Sequence, residues 1–278
     1  MTARVFVVGA GRAGRALAHA MRVAGVDVVG VHGRRPAPDI TSGEWPPQLT
    51  SATAVLVTVR DGELDGVLRD LLAAPLRAGA VVIHASGSAE PPALDLLRAQ
   101  GHPGGTFHPL VPLTDPARAT EQLRHSWIGI DGDESARVVS RELATAIGAQ
   151  VLEIPPGEKA RYHAAAVFVS NFPIVLMSAA TRLLELVGIQ DSSARGALGM
   201  LLIAAAENAA KAAPEAALTG PLVRGDVETV RAHLAALAAT PEVLEMYRVL
   251  SRAALPIAEK AGADRARLEE LERALDAK

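Results

Sequence analysis

The 278-residue sequence predicts an α/β fold, a doubly wound and mainly parallel sheet followed by an all-α C-terminal domain. Three observations predict it. Short β-branched runs alternate with amphipathic helical stretches over the first half. The first run, RVFVV, enters the spacing Gly9, Gly11, Gly14 and leaves into a helical pattern. Beyond Pro155, Pro156 and Gly157 no strand pattern returns. The expected domains are therefore 1–154 and 155–278.

Composition narrows the function classes. Hydrophobic residues make up 49% and charged residues 21%, as in a globular protein, and the apolar runs are read as too short to cross a bilayer. A net charge of −3, with both signs mixed along the chain, offers no field for nucleic acid or anionic lipid. A small-molecule partner is expected, with neither nucleic acid nor membrane. The absence of Cys removes disulfides, a thiolate nucleophile and cysteine metal sites. No metal site is expected, and the expected compartment is the cytoplasm.

The elements follow in order. Arg4–Val8 reads as a strand, and residues 12–23 as a helix with apolar spacing at Ala13, Ala16, Leu17, Ala20 and Met21. Between them, Gly9 suits a tight turn, Gly11 a close backbone approach to a pyrophosphate, and Gly14 close helix packing. The helix opens at Arg12 and Ala13, where unpaired N–H groups and the positive dipole end face an anion. Residues 26–32 form the second strand. An acid about twenty residues past the glycines would bind the ribose of NAD; the chain has Gly33, Arg34 and Arg35 instead. Two guanidiniums there suit a 2′-phosphate, so the expected cofactor is NADP. Residues 36–53, with four prolines, form a surface connection. Residues 54–59 are the third strand, with Val59, Arg60 and Asp61 at the edge where parallel sheets keep their ligands. A helix over 64–76 and a strand over 80–84 lead to Ser86 and Gly87. There Ser86 either hydrogen-bonds a ligand or caps the helix over 91–99. Thr106 and Phe107 form a short strand that runs into His108, held extended by Pro109. A constrained imidazole at a sheet edge suits proton transfer. A strand over 126–130, a helix over 134–147 and a strand over 151–154 complete the first domain.

The second half reads as helices. One long helix from Glu158 to about Val187, apolar on many sides, is expected at the centre of its domain and kinked by Pro173. On it Lys159, His163 and Ser170 fall within about 40° of one stripe, with Asn171 about 80° from His163. These polar residues either face a ligand, or Lys159 and His163 lie in a solvated first turn while Asn171 satisfies the carbonyl that Pro173 frees. A helix over 193–213 follows. The stretch 218–226 (LTGPLVRGD) forms a loop in which Thr219, Arg224 and Asp226 either close over a ligand or order the loop through an Asp–Arg bridge. Helices over 227–239, 242–255 and 264–277 finish the chain, with Asp226 capping the first and Pro256 kinking or ending the second. The apolar helices exceed what one small domain hides, so a homodimer is expected.

With GAGRAG, ASGS, GTFHPL, KARYHAAAVFVSN and LTGPLVRGD in this order, the chain resembles a bacterial family of Rossmann-like oxidoreductases that carry a helical C-terminal domain of unknown function, within the 6-phosphogluconate dehydrogenase C-terminal-like superfamily. The wider relatives include pyrroline-5-carboxylate reductase and ketopantoate reductase. The resemblance implies NADP(H) and an active site beside the nucleotide domain. It is also similar to prephenate dehydrogenases in placing Ser86 22 residues before a His-Pro at His108. The 6-phosphogluconate dehydrogenase relatives set a catalytic Lys four residues before an Asn; here residue 163 is His and the Asn is 171. The expected activity is hydride transfer between NADP(H) and a small carbonyl or imine in an interdomain cleft. His108 or Lys159 would give the proton, Ser86 and Asn171 would orient the substrate, and His163 is a further candidate catalytic residue. Alternatives are a non-catalytic NADP(H) sensor and a deazaflavin-dependent NADP reductase.

Overall fold

The computed structural model describes residues 3–113 and 118–277. Seven strands, β1 (Arg4–Val8), β2 (Asp27–His32), β3 (Ala54–Val57), β4 (Val81–His84), β5 (Gly104–Pro109), β6 (Trp127–Gly132) and β7 (Gln150–Glu153), form one sheet in the order β2-β1-β3-β4-β5-β6-β7. The first five are mutually parallel; β6 runs antiparallel to β5, and β7 parallel to β6. The strand order reverses between β1 and β3, the switch point outside which open α/β sheets bind ligands.

Alternation explains why both faces are covered. Val5 and Val7 of β1, with Ala54 and Leu56 of β3, enter one core; Phe6, Val8, Val55 and Val57 enter the other. Helices α1 (Arg12–Val23) and α5 (Glu134–Ala146) cover the first face through Leu17, Met21 and Leu143. Helices α2 (Asp61–Leu72) and α3 (Ala93–Ala99) cover the second through Leu64, Leu68 and Leu97. Each such buried Leu or Phe contributes about 1.5–3 kcal/mol. A short helix α4 (Ala119–Leu123), which no sequence signal announced, packs on α1, and the connection 36–53 contains a 3₁₀ turn, Pro47–Ser51.

Contacts divide the chain into Met1–Asn171 and Phe172–Lys278 rather than near residue 155. The reason is helix α6 (Lys159–Ser170), whose buried Lys159 ammonium donates to Thr106 Oγ1 of β5 at 2.7 Å. That bond ties the helix to the sheet. The single helix expected from 158 to 187 is two, α6 and α7 (Phe172–Leu186), separated at Asn171. Pro173 cannot donate to the carbonyl of residue 169, and a proline fits best in the first turn of a new helix.

Two further expectations change here. Residues 162–181 contain no Asp, Glu, Lys or Arg, and Lys159–Leu186 holds an 18-residue window of mean hydropathy 1.7, long and apolar enough to cross a membrane. Its charges, Lys159, Arg161, Arg182 and Glu185, sit only at its ends. Nor is this stretch buried within the chain: Phe168, Val169 and Ile174 are 67%, 78% and 68% exposed.

In the second unit α7 packs along α8 (Asp191–Lys211), followed by α9 (Pro214–Ala217). Helices α10 (Val227–Leu237), α11 (Pro241–Lys260) and α12 (Arg265–Asp276) enclose a core of Val227, Val230, Ala258, Leu268, Leu271 and Leu275. Asp226 caps α10 as expected, accepting the Thr229 N–H at 3.1 Å. Helix α11 continues through Pro256 to Lys260 instead of ending there.

Candidate functional site

The glycine turn lies at the carboxyl end of β1. Gly9 has φ +109°, a conformation side chains rarely adopt. Thr58, just past β3, holds this turn by donating from Oγ1 to the Gly9 carbonyl at 2.8 Å. A Cβ on Gly14 would sit 1.8 Å from that carbonyl oxygen, so α1 starts this close to the turn only because residue 14 has none. Gly11 is different: nothing lies within 4 Å of where its Cβ would be. It is the N-cap of α1 and offers no side-chain cap, so the first N–H groups of the helix, beginning at exposed Arg12 and half-buried Ala13, are left for another acceptor. A cleft of about 1420 Å³ opens here, lined among others by Gly9, Gly11, Arg34, Arg35, Val59 and Arg60. Open backbone donors over a space of this size fit the diphosphate of a dinucleotide. Asp61, in the first turn of α2, does not line the cleft; it accepts from Ser88 Oγ at 3.2 Å.

The end of β2 needs a correction. No acid follows it in sequence, but Glu63 of α2 brings one: Arg34 Nη1 donates to Glu63 Oε1 at 2.9 Å, and both line the cleft. Arg35 is exposed there as expected. Sequence distance hid Glu63, because the two residues meet only once β2 and β3 lie on either side of β1. The wall beside them is His32 against Trp45, ring centroids 4.8 Å apart.

A second cluster stands at the carboxyl ends of β4 and β5, on the same edge of the parallel strands as the glycine turn. His108 Nδ1 lies 2.8 Å from the Tyr162 hydroxyl, and the His108 and His163 rings meet edge to face with centroids 5.8 Å apart. Burial pushes the His108 pKa down to about 4, with the nearby His163 adding to the shift. Burial raises Tyr162 above the ordinary tyrosine range. The phenol therefore keeps its proton; in the tautomer in which it donates that proton to Nδ1, the ring proton of neutral His108 stands on Nε2. Gly87 makes the convergence possible, since a Cβ there would lie 2.8 Å from both His108 Nε2 and His163 Nδ1. His163 Nδ1 is buried with no hydrogen-bond partner. Tyr162 and Gly87 were missed as site residues. Tyr162 entered only as part of the motif KARYHAAAVFVSN, and Gly87 only as part of a serine-glycine turn.

The other expected residues are placed differently. Lys159 is 3% exposed, and its ammonium donates to the Ala89 carbonyl at 2.6 Å and to Thr106 Oγ1, with Asp131 Oδ2 at 3.8 Å. Burial lowers its pKa and Asp131 opposes the shift. Thus Lys159 faces the sheet rather than a solvated first turn. Ser86 is buried, and its Oγ accepts the Ala89 N–H at 3.0 Å, bracing the turn rather than capping α3, whose N-cap is Pro92. Asn171 is exposed at the end of α6, its Oδ1 accepting from Ser170 Oγ at 2.8 Å; eight residues of helix put it about 12 Å along the axis from His163. In the 218–226 loop Asp226 is used by the cap on α10, Thr219 and Arg224 are exposed, and no Asp226–Arg224 ion pair forms among the described residues.

The fold and its two clusters define a class: a Rossmann-like α/β unit with a glycine turn and an imidazole cluster on one edge, followed by a helical part. Residues 126–254 match the family model described as "Domain of unknown function (DUF2520)", in agreement with the resemblance carried by the sequence motifs. The matched segment includes Tyr162 and His163 but neither the glycine turn nor His108. No curated protein matches the chain. Among solved structures, protein TM1727 from Thermotoga maritima is 22% identical over 92% of this chain and 98% of its own, with a TM-score of 0.69. A pyrroline carboxylate reductase from Plasmodium falciparum, solved with NADP bound, is 10% identical over 99% of this chain and 98% of its own, with a TM-score of 0.59. A reductive aminase from Aspergillus terreus, solved with NADPH and ethyl levulinate, is 16% identical over 99% and 93%, with a TM-score of 0.57. These likenesses establish a shared fold, two of its bearers being reductive enzymes solved with NADP or NADPH.

Proposed function

We propose that the chain is an NADP(H)-dependent oxidoreductase that reduces or forms a small carbonyl or imine compound, and that it works as a homodimer. The observation that carries the activity is His108, kept neutral by burial and held by Tyr162 on the edge that also bears the glycine turn. Gly9, Gly11 and the start of α1 would hold the pyrophosphate, and Arg34 and Arg35 the 2′-phosphate. The similar reductases that hold NADP or NADPH support this choice of cofactor. Bound there, the nicotinamide supplies or accepts a hydride. His108 donates from Nε2–H to the substrate oxygen or nitrogen, where negative charge develops, and acts as a neutral hydrogen-bond donor rather than as an imidazolium acid. His163, half-exposed beside it, is the route by which a solvent proton reaches the same atom. Lys159 and Ser86 position this machinery, Lys159 by holding α6 to the sheet and Ser86 by bracing the turn that contains Gly87.

Calorimetric titration with NADPH, followed by a turnover screen of carbonyl, imine and 2-keto acid compounds, tests the reading. Saturable NADPH binding with turnover of one compound class is expected. Binding without turnover of any compound would favour a sensor, and no binding would refute the assignment of the cleft.

A further inference from the structure

We infer that Glu63 is a specificity-determining residue of the nucleotide cleft: it competes with the 2′-phosphate for Arg34 and thereby weakens the preference for NADPH over NADH. The inference rests on the reading of the cleft as a dinucleotide site and concerns a residue that no motif marks.

Arg34 follows β2, where the ribose of a dinucleotide bound at the Gly9–Gly14 turn would lie, and its side chain is 81% exposed. Its Nη1 is engaged at 2.9 Å by Glu63 Oε1, from the first turn of α2 on the other side of β1. Both residues line the cleft that contains Gly9 and Gly11, so the ion pair spans part of the binding space instead of lying apart from it. Arg35 and Arg60 line the same cleft. A guanidinium has one planar fork for bidentate acceptors. To grip a phosphate, Arg34 must loosen its hold on the carboxylate, and the freed carboxylate then faces a group carrying about −1.5 to −2 charges. NADH imposes neither cost: the Arg34–Glu63 pair can persist, and a carboxylate near the ribose is the acceptor its 2′-hydroxyl prefers. Glu63 thus takes the part of the acid missing from the end of β2.

The exposed pair is weak and screened by salt, which limits the effect. Removing the carboxylate with Glu63→Gln keeps the size of the side chain, and the site is at the surface, so the fold is retained. Calorimetric titration of NADPH and NADH against wild type, Glu63→Gln, Arg34→Ala and the double variant decides the matter. Glu63→Gln is expected to raise NADPH affinity by about 3- to 10-fold at low ionic strength and to leave NADH affinity within about twofold or lower it. In the Arg34→Ala background the gain should shrink, because there is no longer a guanidinium to release. An unchanged affinity ratio with both nucleotides bound would overturn this inference alone. A gain of equal size without Arg34 would overturn it too, since bulk charge would then be the cause. If wild type binds neither nucleotide, the reading of the cleft fails and this inference with it.

Discussion

At the scale of single residues, charge state decides what the imidazoles do. Because burial holds His108 near a pKa of about 4, its neutral form persists from neutral pH down to that value. Turnover is therefore expected to show no acid limb near 6.5, the ordinary histidine value; it should fall only as His108 protonates near pH 4 and loses the acceptor lone pair that Tyr162 uses. A pH–rate profile checks this, and a limb near 6.5 that moves in Tyr162→Phe would assign the limb to His108 and refute its burial. His108→Ala should lower kcat by about 10²–10³-fold, the loss typical of one donor at a developing negative charge, with NADPH affinity nearly unchanged. Tyr162→Phe should cost less, about tenfold, because it frees the ring to rotate without removing it. Steady-state kinetics beside calorimetry separates the two effects.

His84 belongs to the same scale but acts on stability. It is 1% exposed, neither ring nitrogen has a hydrogen-bond partner, and burial lowers its pKa to about 3, helped by the nearby Lys159 and His108. The sign follows directly. Between pH 6.5 and about 3 the unfolded chain binds a proton at this residue and the folded chain does not, so stability falls as pH falls through that window. At pH 5 the loss is roughly 2 kcal/mol. His84→Leu should flatten the dependence, and melting temperatures at pH 7.5 and pH 5 will show it: an unchanged difference between the two would contradict the assignment.

At the scale of elements, the turn after β4 and the first turns of α6 make the second cluster. Neither is sufficient alone. The rings of His108 and His163 occupy space beside Gly87 that any side chain would fill, since a Cβ would lie 2.7 Å from His108 Cε1. Gly87→Ala is therefore expected to push both rings aside and abolish turnover, while NADPH binding and melting temperature change little; full activity in this variant would show that the two imidazoles need not converge. The lesson for reading sequences lies in the same turn. The motifs ASGS and GTFHPL marked both strand ends. What escaped was that Gly87 serves its neighbours across the sheet edge rather than its own backbone.

At the scale of the whole molecule, exposed apolar surface is the unsolved term for a single chain. On α7, α8 and the turn between them, Ile174, Leu186, Val187, Met200, Leu201 and Ile203 are each at least half exposed. Exposed apolar side chains in this number on paired helices favour a cover, and we propose a second copy as that cover. Light scattering at micromolar concentration in detergent-free buffer should give twice the mass of the chain. A monodisperse monomer would remove the dimer, and a chain that stays dispersed only in detergent would point to a lipid surface, which the uncharged stretch 162–181 is long enough to meet.

By itself the sequence determined the alternation of strands and helices, the glycine turn at Gly9–Gly14, the helical second half and the strand end that presents His108. These are local properties: side-chain periodicity and the conformations open to Gly and Pro act over a few residues. The tertiary structure alone decided that Glu63 answers Arg34, that Tyr162 orients His108, that Lys159 turns into the sheet and that α6 joins the first unit. Each depends on residues 29 to 54 positions apart. Their meeting is set by strand order and helix packing, and no period within the sequence encodes it.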